Sequence, residues 1–409
     1  MTLPTSGPIS MSQIAAQLGV STNSPLDLNN VSLRALLESD HLSQQTTGSI
    51  IRMSDAYGKS LVSLVTPGGA PGVISNDGLS LYLLSGSSFN IYARNPTTGN
   101  ITFSSNFAFS ANGDVLCMAI SPDGKSLYCG TSNGQLITFS RNSTGEISYQ
   151  DSVYLNDTIP LDGSYADNAI YEIAVSSDNL NVYCGGAIWF TDSQSSTPFA
   201  CIYHYQRNDY TGALTVFTSF YTACSSAEAV MAFTLSSDGN TIYATNSIGP
   251  EGNIYAIMIF NKNSDGSFSV DNGVRFSGRY GVTYIADGSA LSLLSGAPFD
   301  VPITPYVSLS NFLAISQGIA LNFVPTRTFL NAAISNDRLL ICLLTNVNTI
   351  VKYSVSGSSG TYVSEMVFDA TDSSALGSSS TYGNIIFSND NRNYYVVVNY
   401  SAGVYQFSR

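Results

Sequence analysis

The chain has 409 residues, 44 % of them hydrophobic and only 11 % charged, with a net charge of −13. That apolar content excludes a disordered chain and allows one large domain plus a small one, or two to three ordinary ones. The 15 Lys and Arg are scattered, which argues against nucleic acid as a partner, and no apolar run is long enough to span a membrane.

In chain order, "MTLPTSGPIS" has neither the basic nor the apolar region of a secretory leader, so none is expected. Residues 1–60 hold two helical candidates. "SMSQIAAQLG" has Ser10 and Gln13 in capping-box spacing, Ile14 and Leu18 on one face, and Gly19 as a stop. "NNVSLRALLES" gathers Leu33, Leu36 and Leu37 behind Asn29 or Asn30 as cap. A closing phrase, "TGSIIRMSDAYGKS" (47–60), partly repeats "SGPISMSQIAAQLG" (6–19), with Met53-Ser54-Asp55 echoing Met11-Ser12-Gln13. Neither helix buries its apolar face alone. The segment is therefore expected to pack on itself and dock on another protein, through Ile9, Met11, Ile14, Leu18, Leu33, Leu36, Leu37, Met53 and Tyr57.

From residue 61 the pattern changes. "LVSLVTP" (61–67) has β character, and one phrase then recurs: an apolar triplet, a polar pair, Asp-Gly or a variant, and a β-rich run, as in "GVISNDGLSLYLL" and "MAISPDGKSLYCG". Its aspartates are Asp77, Asp123, Asp178, Asp238, Asp287, Asp337 and Asp390, at intervals of 46, 55, 60, 49, 50 and 53 residues. Each phrase reads as a β-hairpin whose turn tolerates positive φ. A third strand follows in most copies ("FNIYARN", "GQLITFSRN", "CIYHYQRN", "IYAIMIFNKN"), then a second turn such as "TTGN" or "STGE" and a fourth strand. The period predicts an all-β fold over 61–409: a seven-bladed β-propeller of four-stranded antiparallel blades, preceded by the small helical module. The last copy ends after its third strand, "AGVYQFSR", and residues 61–67 are expected to supply the missing outer strand.

Catalytic chemistry finds little support. His41 lies in the first segment and His204 on a third strand, where a packed, hydrogen-bonded role is the better reading. "GTSNG" (130–134) matches G-x-S-x-G but falls in a hairpin, not the strand-to-helix turn a nucleophile elbow needs. "NKNSDGSFSVDN" (261–272) resembles half a calcium loop, yet its twelfth position is Asn272 instead of a bidentate Glu. The repeated aspartates are expected to cap their own turns. The six cysteines have no metal-ligand spacing and read as buried thiols. No catalytic residue, metal or cofactor is assigned.

Loop lengths are more informative. The turns within the first and second halves of each blade are short. The insertions fall on the opposite face: "GGAIWFTDSQSSTPFA" (185–200), "NSIGPEG" (246–252), "SGAPFDVPITPYVSLS" (295–310), "LNDTIPLDGSYADNA" (155–169) and "DATDSSALGSSSTYG" (369–383). They carry Tyr165, Trp189, Phe190, Phe299, Tyr306 and Tyr382 among Asp and Asn, a composition suited to a glycan or protein ligand. Rings that merely pin the loops are the competing reading.

Two resemblances add to this. The repeat resembles seven-bladed propellers of the lactonase type, with their "SPDG…LY" and "…TG.L" phrases; the charged channel cluster of that family has no counterpart here. Residues 1–60 resemble an N-terminal module of tailed-bacteriophage virion proteins. The matching stretches are Ser10 to Ile14, Ser32 to Leu36 and Ser54 to Ser60, with Arg52 where the family usually has Ser or a neutral residue. That resemblance implies a virion structural protein, assembled in the host cytoplasm. It would be held by other virion proteins through residues 1–60 and be present as a homo-oligomer or in many copies. A tail-associated adhesin binding a host glycan or protein is the leading expectation. A capsid-decorating protein and a lactonase-like enzyme are the alternatives.

Overall fold

The computed structural model describes residues 63–65, 69–155, 164–191, 196–221, 227–235, 238–248, 254–277, 282–286, 291–295, 320–321, 329–335, 337, 339–345, 349–356, 359–367, 384–398 and 403–408. The expectations for residues 1–60, and for Phe299, Tyr306 and Tyr382, lie outside them.

A short strand, β1 (Ser63–Val65), comes first. The first sheet is β2 (Gly69–Ile74), β3 (Ser80–Ser85), β4 (Ser88–Arg94) and β5 (Ile101–Ala108). The second is β6 (Val115–Ile120), β7 (Ser126–Thr131), β8 (Gln135–Arg141) and β9 (Ile147–Tyr154). The third is β10 (Ser164–Val175), β11 (Asn181–Thr191), β12 (Ser196–Arg207) and β13 (Leu214–Tyr221). The fourth is β14 (Ala227–Leu235), β15 (Thr241–Ile248), β16 (Ile254–Lys262) and β17 (Phe268–Ser277). In the fifth, the described residues form β18 (Val282–Ala286) and β19 (Leu291–Ser295). A two-residue strand, β20 (Ala320–Leu321), runs parallel to the outer edge of the sixth sheet. That sheet comprises β21 (Phe329–Ile334), β22 (Leu340–Thr345), β23 (Thr349–Ser356) and β24 (Ser359–Val367). The last sheet is β25 (Asn384–Phe387), β26 (Asn393–Val398) and β27 (Gly403–Ser408), with β1 as its outer strand.

Each sheet is an antiparallel meander, and the first strands touch in succession: β2, β6, β10, β14, β18, β21, β25 and back to β2. Sheets arranged around such a ring make a β-propeller. The core lies between sheets, so both faces of a middle strand are buried. In β3, Leu81 and Leu83 pack toward the last sheet, against Ile386, Tyr395, Val397 and Val404. Tyr82 and Leu84 pack the other way, onto Leu127, Cys129 and Ile137. This explains why "SLYLL" and "SLYCG" are continuously apolar: only a strand covered on both faces needs no alternation. The same geometry buries the thiols of Cys117, Cys129, Cys184, Cys201 and Cys342.

The turns follow from residue chemistry. Gly78 and Gly124 have φ of +69°, and Asn179 and Asn391 take +64° and +57°, a region glycine and asparagine tolerate best. Before five of these turns a buried serine locks the hairpin. The Ser75 hydroxyl donates to Asp77 Oδ1 and accepts from the Ser80 N–H, while Asp77 Oδ1 also accepts from the Leu79 N–H. Ser121 with Asp123, Ser176 with Asp178, Ser335 with Asp337 and Ser388 with Asp390 repeat it.

Three expected loops differ. Residues 185–191 and 196–200 are strand, β11 reaching Thr191 and β12 starting at Ser196, and β10 already begins at Ser164. "AIWFT" is β-branched and aromatic, so pairing satisfies its backbone better than a loop does. Residues 246–248 likewise belong to β15, and Ile254 opens β16.

Candidate functional site

The third sheet carries most of the described part of the elaborated face. Its strands β10, β11 and β12 are 12, 11 and 12 residues long, whereas β6, β7 and β8 are 6, 6 and 7. The surplus of about five residues per strand corresponds to roughly 16 Å of extra length. The register makes Tyr165 and Phe190 direct cross-strand partners, with Thr197 completing their row. Trp189, between Ala166 and Pro198, falls on the opposite face of the same strands. Three of the expected aromatic residues therefore share one hairpin, but not one face.

A second constellation was hidden in the sequence. Arg141, ending β8, donates from Nη2 to Asp77 Oδ2 at 2.8 Å and from Nε to the Tyr82 hydroxyl at 2.6 Å, both in the preceding sheet. Its Nη1 donates to the Gly124 carbonyl of its own sheet at 3.2 Å. Arg94 does the same across the junction of first and last sheets, to Asp390 at 2.9 Å, Tyr395 at 2.7 Å and Gly78 at 3.1 Å. Arg207 ties the third sheet to Asp123 at 3.1 Å. These guanidiniums are 5 %, 1 % and 0 % exposed. The signal lay in the recurring "ARN", "SRN", "QRN" and "NKN" at the ends of third strands. Lys262 stands at that position in the fourth sheet and acts on Asp178. The aspartates thus cap their own turns, as expected, and also anchor the neighbouring sheet.

The titrations follow. Burial raises the Asp77 carboxyl, but the Ser75 hydroxyl, the Leu79 N–H and Arg141 outweigh it and hold the pKa below the ordinary value. Asp123, Asp178 and Asp390 are depressed in the same way. Such a carboxylate stays ionised to anchor its neighbour, and is poorly suited to proton transfer at neutral pH.

His204 is buried, stacked on Tyr183 at 4.5 Å, and its Nε2–H donates to Asn181 Oδ1 at 2.7 Å. Burial, and then Lys262, lower its pKa to about 4. It is neutral at physiological pH and sits inside the sheet stack. The "GTSNG" match runs from the end of β7 through a turn at Gly134, φ +71°, into β8, and no helix follows. "NKNSDGSFSVDN" is the β16–β17 hairpin, where Asp265 Oδ1 accepts from the Ser267 N–H and hydroxyl. No cluster of three metal-ligating side chains occurs among the described residues. One acid escaped notice in the sequence: Glu172, at a bulge of β10 beside Cys117, whose carboxyl burial pushes up to about 7.

No protein-family model and no curated protein matches the chain. Among solved structures it is similar to U3-55K, at 11 % identity and TM-score 0.50, over 85 % of this chain and 98 % of that one. It is similar to Raptor of Chaetomium thermophilum at 10 % identity and TM-score 0.55, over 85 % of this chain and 28 % of that much longer one. A Cps50 (Swd1) β-propeller domain of Myceliophteria thermophila aligns at 8 % identity and TM-score 0.42, over 85 % of this chain and all of that one. Identities this low speak to fold alone.

Proposed function

We propose that the chain is a structural protein of a phage virion, held on the particle through residues 1–60, whose seven-bladed propeller meets the host surface with its elaborated face. The observation that carries the reading is the "GPISMS…SLRAL…SDAYGKS" pattern, ending at Ser60, just before a strand woven into the last sheet. An anchor joined there transmits load into the ring instead of into a loose linker. Seven blades are supported by the seven turn aspartates and by the succession of first strands around the ring. The long third-sheet hairpin supports a tail appendage over a plain decorating protein, because a rigid scaffold suits recognition. A catalytic role has little to work with: Asp77, Asp123 and Asp390 are locked to arginines and His204 is packed between rings.

The test is a deletion of residues 1–60. The truncated chain is expected to fold, and to be lost from assembled particles. The full chain is expected to bind host cells. Incorporation of the truncated chain at normal copy number, or lactone hydrolysis by the purified protein, overturns the reading.

A further inference from the structure

We infer that the turn face over the last sheet seats the chain's own N-terminal segment, residues 1–60, and that the elaborated face therefore points away from the particle. The orientation rests on the virion reading above; the seat does not.

Strand direction places the entry of the chain. β26 leaves the Asp390 turn at Asn393, which lies opposite Ser408, so β27 ends at the turn face and begins, at Gly403, on the elaborated side. β1 runs against β27, with Ser63 opposite Gln406 and Val65 opposite Val404. The chain thus enters the ring from the turn face, at the outer edge of the last sheet. Only Leu61 and Val62 separate Ser63 from Ser60, where the N-terminal pattern ends. Three steps of extended chain reach at most about 11 Å, which keeps the end of that segment beside the turn face.

That face carries apolar surface which the ring leaves uncovered. Two residues after the turn aspartate, the sixth, last and first sheets have Leu339, Arg392 and Leu79. These sheets are consecutive around the ring, and their turns are tied together. The Asp337 N–H donates to Asn391 Oδ1, and Asn389 Nδ2 donates to the Asn76 carbonyl. Leu339 is 53 % exposed and Leu79 44 %, with Arg392 exposed between them. Sheets pack about 10 Å apart, so the two leucines stand roughly 20 Å from each other across the cation. The turn itself does not call for leucine, since Lys125 and Asn240 hold the same place in the second and fourth sheets. Leu180 of the third sheet, 45 % exposed, has those two polar residues on either side.

Charge and reach name the occupant. "SLRALLESDHL" (32–42) sets Leu33, Leu36 and Leu37 beside Glu38 and Asp40. Leucines suit the two exposed leucines, and the acids suit Arg392 between them. As a helix this stretch spans about 16 Å, close to the separation of the two leucines. A second copy of the propeller fits less well, because a two-fold contact centred on this patch sets Arg392 against its own copy.

The test uses the full-length protein. Thiols introduced by Leu79→Cys and Leu339→Cys should react with a maleimide at least tenfold more slowly than one introduced by Leu180→Cys, read by peptide mass spectrometry. Leu36→Asp with Leu37→Asp, outside the propeller, should bring the three rates together. Equal rates in the otherwise unchanged chain overturn the seat, and so does slow labelling that survives the double substitution. On assembled particles, a thiol from Ser87→Cys, in the exposed β3–β4 turn of the opposite face, should react as in the free protein. One from Leu180→Cys should become shielded there. The reverse pattern, or equal reactivity of the two, overturns the orientation. If the protein is absent from particles, the virion reading and the orientation fall together, while the seat stands or falls on the free protein.

Discussion

Arg141 joins two sheets with one side chain, and its neighbours explain why glycine follows in the next turn. Gly145, with φ +88°, would place a Cβ 2.3 Å from Ser80 Oγ of the preceding sheet, whereas at Gly239, φ +69°, a Cβ meets nothing within 4 Å. Gly239→Ala should therefore cost about 1–2 kcal/mol, the conformational term alone, and Gly145→Ala roughly 2–4 kcal/mol, since the Ser80 hydroxyl, an acceptor for Arg141, must also turn aside; urea midpoints compare them. Arg141→Ala should lose about 2–3 kcal/mol, discounted because Asp77 keeps 39 % exposure. Arg141→Lys should recover less than half, as an ammonium cannot serve Asp77, Tyr82 and Gly124 in one plane. Half-buried Glu172 and buried His204 titrate in opposite senses. The folded pKa of Glu172, about 7, lies above its unfolded value, so its contribution is complete below about pH 4.4 and lost as pH rises through 7. That of His204, about 4, lies below, so its contribution is complete above about pH 6.5 and lost as pH falls through 4. Glu172→Gln should flatten the alkaline loss of stability between pH 5 and 8, and the His204 ring should show no imidazolium by NMR above about pH 5.

At the scale of strands, ring closure has two layers. Outside, β1 pairs with β27 through only three residues, Ser63 to Val65 against Val404 to Gln406. Inside, Arg94 reaches Asp390 and Tyr395, and Ile74, Leu81 and Leu83 pack on Ile386, Val397 and Val404. Deleting residues 1–67 should expose the edge of β27, lower the thermal midpoint and promote association, without opening the ring. Combining it with Arg94→Ala should exceed the sum of the single effects by more than about 1 kcal/mol, because each closure covers for the other. The β character of 61–67 was legible in "LVSLV", and its need in the incomplete last repeat. The guanidinium layer was not. "YARN" and "FSRN" are ordinary strand ends until a neighbouring sheet puts an aspartate and a tyrosine beside them.

Across the whole molecule, the core is a series of layers between sheets, and the thiols of Cys117, Cys129, Cys184, Cys201 and Cys342 lie inside those layers. Burial pushes Cys201 up to about 12 and also raises Cys117, Cys129 and Cys184, so these side chains are un-ionised as well as covered. A thiol reagent should leave them unmodified in the native protein and label them together on unfolding. Stepwise labelling would show that the layers open one at a time. The sequence by itself determined the sheet repeat, the turn aspartates with their glycine or asparagine partners, and the change of character at residue 61. Those properties are local, set by side-chain period and by which residues accept positive φ. Tertiary structure alone settles which sheet each arginine clasps, that residues 185–191 and 196–200 are strand, and that Trp189 and Phe190 fall on opposite faces of β11. Those outcomes depend on register and on the approach of sheets distant in sequence, which no single stretch of the chain encodes.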